Sequence, residues 1–301
     1  MLYDLRLTIE YRYDASSDRT RNILRLLPGD VAGVQRLVQR RLTIEPQPQE
    51  RRDGRDFFGN ETCMVAWHRP IDALMLHLSA RIERFEPAPL LDLSPPLEEL
   101  HQELIQMASI APGSPHHFVA ASPRVRLSPK ITDYGWDCLE TTAEPGVTVL
   151  KAVETLGRAL HRDMSFDPEA TDVDTSPEEA FENRHGVCQD FAHVMIAALR
   201  GIGIPAGYVS GFLRTFPPPG QPRLEGADAM HAWVRAWAGK QLGWVEFDPT
   251  NNQFAGSDYI TLGHGRDYGD VAPVRGALRS SGGQDSEQAV DVLPLEISAP
   301  R

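Results

Sequence analysis

Between Tyr3 and Tyr13 every odd position is apolar or aromatic (Tyr3, Leu5, Leu7, Ile9, Tyr11, Tyr13), and the even positions are Asp4, Arg6, Thr8, Glu10 and Arg12. A period of two fits an extended strand with one face buried and the other wet. Such a strand cannot stand alone; its apolar face needs a second layer. Leu74, Leu76, Leu78, Ala80 and Ile82 repeat the pattern, and Phe58-Gly59-Asn60-Glu61 reads as a hairpin turn between strands. Cys63 alternates with Val65 and Trp67 and reads as an inert strand-face residue. Residues 1–88 are therefore predicted to form an antiparallel sheet or small sandwich.

The pattern changes where Glu86-Pro-Ala-Pro and Ser94-Pro-Pro forbid continuous regular structure. In the connecting segment 89–144, Leu97–Ile110 reads as a helix; Val149–Asp163 reads as another. Ser176-Pro177-Glu178-Glu179 has the composition of a helix start, with Ser at the cap and Glu three residues on. That short helix is expected to stop near Gly186, and a second to run from Cys188 to Arg200 with Phe191, Val194, Met195, Ala198 and Leu199 as its buried stripe. Ala206–Leu213, Ala229–Trp237 and Gly243–Asp248 read as strands, the first two separated by a loop containing Pro217-Pro-Pro-Gly. The tail 271–301 is loose from Gly276 to Gly283, with a final strand at Ala289–Leu295. The expected class is α+β.

Charge and composition narrow the function. The net charge is −12; residues 1–85 hold 14 arginines and 12 acids, so the surplus of acid lies in the rest of the chain. An acidic second part argues against a nucleic-acid partner, which calls for clustered Lys and Arg. No stretch has the roughly 20 apolar residues of a membrane span, and the first residues lack the layout of a secretory signal. Three cysteines, odd in number and far apart, argue for a reducing compartment, with the cytoplasm as the default.

Chemistry concentrates in Arg184-His-Gly-Val-Cys188-Gln-Asp-Phe-Ala-His193. Cys188 falls in the first turn of its predicted helix, where unpaired N–H groups and the positive end of the dipole stabilise a thiolate. A thiol nucleophile works best beside a base. His231, in Met-His-Ala-Trp233, opens one predicted strand, and Asp248 closes the next before Pro249. Nucleophile, base and orienting acid follow in that order. Each residue also has an ordinary structural reading: cysteine is often core, a histidine beside Trp is often a hydrogen-bonded structural residue, and Asp before Pro is often a turn former. Gln189, beside the sulfur, and Trp233 and Tyr208 are candidate substrate-site residues. Trp233 and Trp244 are expected to wall His231, and His116-His117 lies in a Pro- and Ser-rich loop. His185, Cys188 and His193 match no common zinc spacing, so neither metal nor cofactor is expected.

The blocks Gly-Val-Cys188-Gln-Asp-Phe-Ala-His, Gly203-Ile-Pro-Ala-Gly-Tyr208-Val-Ser-Gly211, His231-Ala-Trp-Val and Trp244-Val-Glu-Phe-Asp248-Pro-Thr-Asn resemble the bacterial transglutaminase-like superfamily over residues 145–270. Leu24-Arg-Leu-Leu-Pro and Asp56-Phe-Phe-Gly-Asn resemble the β-domain that precedes this core in bacterial members. The resemblance implies a papain-like transglutaminase core, a Cys-bearing helix packed on an antiparallel sheet, with Cys188, His231 and Asp248 as catalytic triad. It further implies thioester chemistry on the amide bond of a protein or peptide. A cysteine peptidase or amidase is the expected activity, with transglutaminase cross-linking and a non-enzymatic protein-binding module as alternatives. At the position six residues before the cysteine, where papain-like proteases carry an oxyanion-binding Gln, this chain has Glu182.

Overall fold

The protein is described by a computed structural model. It covers residues 1–17, 20–140, 146–168, 171–216, 226, 228–278 and 284–295; the expected Pro217-Pro-Pro-Gly loop and positions 279–283 of the tail lie outside them.

The first strands are β1 (Leu2–Ser17), β2 (Thr20–Leu24), β3 (Gln35–Glu45), β4 (Glu50–Arg55), β5 (Glu61–Trp67) and β6 (Ile71–Arg84). The alternation of β1 is realised: Tyr3, Leu5, Leu7 and Ile9 are buried, and Leu7 pairs with Leu78 and Ile9 with Leu76 across an antiparallel ladder. Helices α1 (Leu97–Gln106), α2 (Pro129–Glu140) and α3 (Val149–Asp163) follow, with a 3-10 turn at Pro115–Phe118. Next come β7 (Ser165–Phe166), α4 (Pro177–Asn183), β8 (His185–Gly186), α5 (Cys188–Gly201), β9 (Ala206–Leu213), β10 (Ala229–Trp237), α6 (Gly239–Leu242), β11 (Trp244–Asp248), β12 (Gln253–Phe254), β13 (Tyr259–Gly265), α7 (Tyr268–Val271), β14 (Val274–Leu278) and β15 (Gln284–Leu295).

Two four-stranded sheets, β15-β1-β6-β3 and β14-β2-β5-β4, share one hydrophobic core and make the sandwich. The tail is not loose at 276–278: β14 joins β2, and β15 joins β1 along its length. Phe212, Ile260 and Leu262 extend the sandwich core into the five-stranded sheet β12-β11-β10-β9-β13. The two units are therefore joined through apolar packing. No helix among the described residues is long and apolar enough to cross a membrane.

Helix α5 is central. It packs on β9 and β10 and is covered by α2, α3 and α4, so it is buried all round rather than along one stripe. Ser176 caps α4 as its composition requires, its hydroxyl accepting from the Glu179 amide. That helix ends earlier than expected, because Arg184, not Gly186, takes the left-handed conformation at its end (φ 58°). Helix α1 also stops short, at Gln106.

Within the sheet, Gly211 of β9 lies between His231 of β10 and Thr261 of β13. A Cβ there would collide with the Ile260 carbonyl oxygen and the Trp233 ring. Gly211→Ala is expected to lower stability by about 3 kcal/mol, the upper end for overpacking a core. Gly256→Ala, where a Cβ meets nothing, should stay within about 0.5 kcal/mol of wild type. Denaturant melts of the two variants check this.

Candidate active site

Cys188 is the first residue of α5, after Val187 in extended conformation. The turn is fixed by Asp190, whose Oδ2 accepts from the Val187 amide at 2.8 Å and the Thr171 hydroxyl at 2.6 Å. Gly186 lets that carboxylate approach, since a Cβ would lie 2.6 Å from Asp190 Oδ2. Burial pushes the Asp190 carboxyl up, against the pull of these hydrogen bonds. The first intrahelical amides to find an acceptor are those of Asp190 and Phe191, both on the Val187 carbonyl. Among the described residues the Cys188 and Gln189 amides have no backbone acceptor, as a helix start dictates.

His231 and Asp248 arrive from neighbouring strands. His231 Nε2 lies 2.6 Å from Asp248 Oδ2, and the carboxylate is fully buried. Asp248 is saturated with donors: Oδ2 also accepts from Asn251 Nδ2 at 2.7 Å and Tyr259 OH at 2.8 Å, while Oδ1 accepts from the Thr250 and Asn251 amides. Burial pulls the His231 imidazole down. Hydrogen bonds and negative charge from Asp248 and from Cys188 more than offset it, so the imidazole titrates at about 10. Burial likewise opposes ionisation of Asp248, yet His231, Asn251 and Tyr259 hold it below the usual carboxylate range. With Nε2 taken by Asp248, Nδ1 is the ring nitrogen left for the sulfur. The three side chains separated in sequence thus meet.

Cys188 and His231 line a cleft of about 370 Å³, with Asp248 buried behind the imidazole. Gln189, Tyr208 and Ser210 line it on the core side; Ile9 and Tyr11 of β1 and Ser286–Gln288 of β15 line it from the sandwich. Gln189 is turned partly away, its amide donating to the Val173 carbonyl at 3.1 Å. Trp233 requires correction. It does not line the cleft but is fully buried, its ring 6.1 Å from that of His231 and nearly parallel to it, with Nε1 donating to Glu246 at 2.7 Å. It supports the imidazole and has no surface for substrate. Trp244 stands further off, paired with Trp237 and covered by the Arg235 guanidinium.

His193 is buried and titrates at about 4, chiefly through burial; its Nε2 accepts from the Tyr268 amide. His116 and His117 tie their turn to the Met107 and Ile110 carbonyls, and Glu182 pairs with Lys130 at the surface. Sequence reasoning missed Tyr259, which Gln253 also contacts, as well as Asn251 and the cleft-lining residues of β1 and β15.

Residues 139–249 match the Transglutaminase-like superfamily and residues 3–83 the Bacterial transglutaminase-like N-terminal region. An uncharacterised protein of Mycobacterium tuberculosis is 36% identical over 270 residues, spanning 88% of this chain and 84% of its own. A protein-glutamine gamma-glutamyltransferase of Pseudomonas aeruginosa is 38% identical over 87 residues, 29% of this chain and 13% of that one. The crystal structure of a candidate cysteine protease from Cytophaga hutchinsonii superposes with a TM-score of 0.74 at 19% identity, covering 100% of this chain and 92% of that one, which shows a shared fold. The chain belongs to the transglutaminase-like superfamily, carrying its core behind the bacterial N-terminal β-domain.

Proposed function

We propose that the protein is a thiol-dependent acyl-transfer enzyme acting on amide bonds, a cysteine peptidase or amidase. Cys188 is the nucleophile, His231 the general base and acid, and Asp248 the residue that positions His231. One observation carries this reading: an imidazole bonded to a saturated buried carboxylate lines one cleft with a helix-start thiol, and the carboxylate and the sulfur together push it up to about 10. Such an imidazole is protonated at neutral pH, the state that stabilises a neighbouring thiolate.

The Cys188 sulfur adds to the amide carbonyl, and the resulting oxyanion takes the spare Cys188 amide as donor. Collapse breaks the C–N bond; His231 Nδ1 delivers its proton to the departing amine and leaves a thioester. Water, deprotonated by His231, then adds to the thioester carbonyl and releases the acid, restoring the thiol. Cys188 is partly exposed at the cleft floor, which favours water as the second nucleophile. Amine transfer is the second reading, favoured by the 87-residue likeness to the gamma-glutamyltransferase of Pseudomonas aeruginosa.

Unfolded β-casein incubated with a fluorescent primary amine separates the two. New chain termini or released ammonia should exceed amine incorporation. Incorporation in excess would make the protein a cross-linker. Neither product, together with Cys188 alkylation no faster than that of free cysteine, would leave a protein-binding module.

A further inference from the structure

Strand β15 is the outer strand of its sheet, paired with β1 on one side only. Among the described residues it meets the catalytic unit around Asp228, with the nearby Gly226 amide donating to Asp291 Oδ1 at 2.9 Å. Asp228 donates its amide to the Val290 carbonyl at 3.2 Å and accepts the Val292 amide on Oδ2 at 2.6 Å. Residues 290 and 292 therefore turn their main-chain groups outward. In a strand the N–H and C=O of one residue point the same way and alternate residues reverse, so Ser286 and Gln288 face outward too. Among the described residues their outward amides and carbonyls have no partner, and residues 285–289 are exposed.

The antiparallel bridge between Asp228 and Val290 would, if continued, set Met230 opposite Gln288 and Ala232 opposite Ser286. The two strands splay instead, because β10 leaves to pair with β9 and β11. Met230, His231 and Ala232 on one side and Ser286, Glu287 and Gln288 on the other all line the cleft that holds Cys188. The gap is a wedge between strands with unpaired ladder groups along one side. A strand needs such groups and about 4.8 Å of spacing to be added.

We infer that the substrate is a polypeptide segment in extended conformation, added as a strand to the outer edge of β15 at Ser286 and Gln288 so that its backbone runs past Cys188. This deepens the amide-cleavage reading and rests on it for the fate of the bound chain. The recognition itself is main chain to main chain, so it selects unfolded or flexible segments over small amides and folded surfaces. The sandwich becomes one wall of the substrate site.

Ser286→Pro/Gln288→Pro removes both outward N–H groups while sparing the ladder with β1, a placement where edge strands tolerate proline. Ser286→Ala/Gln288→Ala removes the same side chains and keeps the N–H groups. In a Cys188→Ala background, fluorescein-labelled β-casein should bind the proline pair at least tenfold more weakly than the alanine pair, read by anisotropy. Equal affinity within twofold, or no casein binding by Cys188→Ala itself, would overturn the inference. Should the proline pair fail to fold, a short casein peptide and its backbone N-methylated form give the same readout on Cys188→Ala: a tenfold loss on methylation supports edge pairing, and no loss overturns it. Edge-dependent binding without turnover in the active chain would sink the enzymatic reading and leave the inference standing.

Discussion

Cys188→Ala is expected to abolish turnover of any amide substrate, a loss on the order of 10⁴-fold or more, as when the nucleophile of a covalent mechanism is removed. No thioester can form, so mass spectrometry of the variant with substrate should find no acyl adduct. Stability should change little, because the sulfur stands partly exposed at the rim of the core. The other cysteines cannot substitute. Burial, helped by Asp53, pushes the Cys63 thiol up to about 12, and burial also raises Cys138. One equivalent of iodoacetamide at pH 7 should accordingly inactivate the wild-type protein with a single modification, at Cys188. Modification at Cys63 or Cys138 with equal loss of activity, or an alanine variant that retains turnover, would remove the sulfur from the mechanism.

The nucleophile was legible because its context is local. A glycine, a helix start and an apolar helix lie within a few residues of Cys188, and the blocks around His231 and Asp248 are equally compact. Pairing between distant segments left no such mark. Strands β14 and β15 complete sheets begun more than 200 residues earlier, and nothing in their own sequence states which edge they seek. Strand β13 escaped because it is buried on both faces, which erases the alternation by which β1 announces itself; Tyr259 was lost with it. Helix α2 hid behind Gly135, a residue that discourages helix but here admits the close approach of Ile202 and the Ala198 carbonyl of α5. Trp244 is expected from the sequence to wall His231. Register decided otherwise: Trp244 pairs with Trp237, and Asp248 occupies the end of β11 nearer His231. Short-range chemistry was thus readable and long-range placement was not, with the cleft, built from both units, as the main casualty.

Asp248→Asn tests how the site keeps its imidazole charged. Every acceptor of Asp248 is used: three donors converge on Oδ2 and two backbone amides on Oδ1. An Asn must present its NH₂ to one of these sets, so donor faces donor in either orientation and a buried charge on His231 loses its partner. Turnover is expected to fall about 10⁴-fold, comparable to the loss when an orienting Asp is replaced in other triads. A general loss of packing would do the same, so the discriminating readout is the pH profile of the residual activity. In wild type the imidazole titrates at about 10, raised above the 6.5 of a free histidine against the opposing effect of burial. Removing the carboxylate leaves burial with less to oppose it, and the alkaline limb of kcat/KM should move from near pH 10 toward neutrality. Stability should follow the same sign. A folded-state value above the unfolded one means that the ion pair's stabilisation is full below about pH 6.5 and is lost as pH rises through 10. The difference between wild type and variant, about 3 kcal/mol for breaking a buried pair, should therefore be largest near pH 6 and shrink as pH approaches 10. A variant whose residual activity keeps the wild-type alkaline limb would mean that Asp248 holds the strand end together without governing the charge on His231.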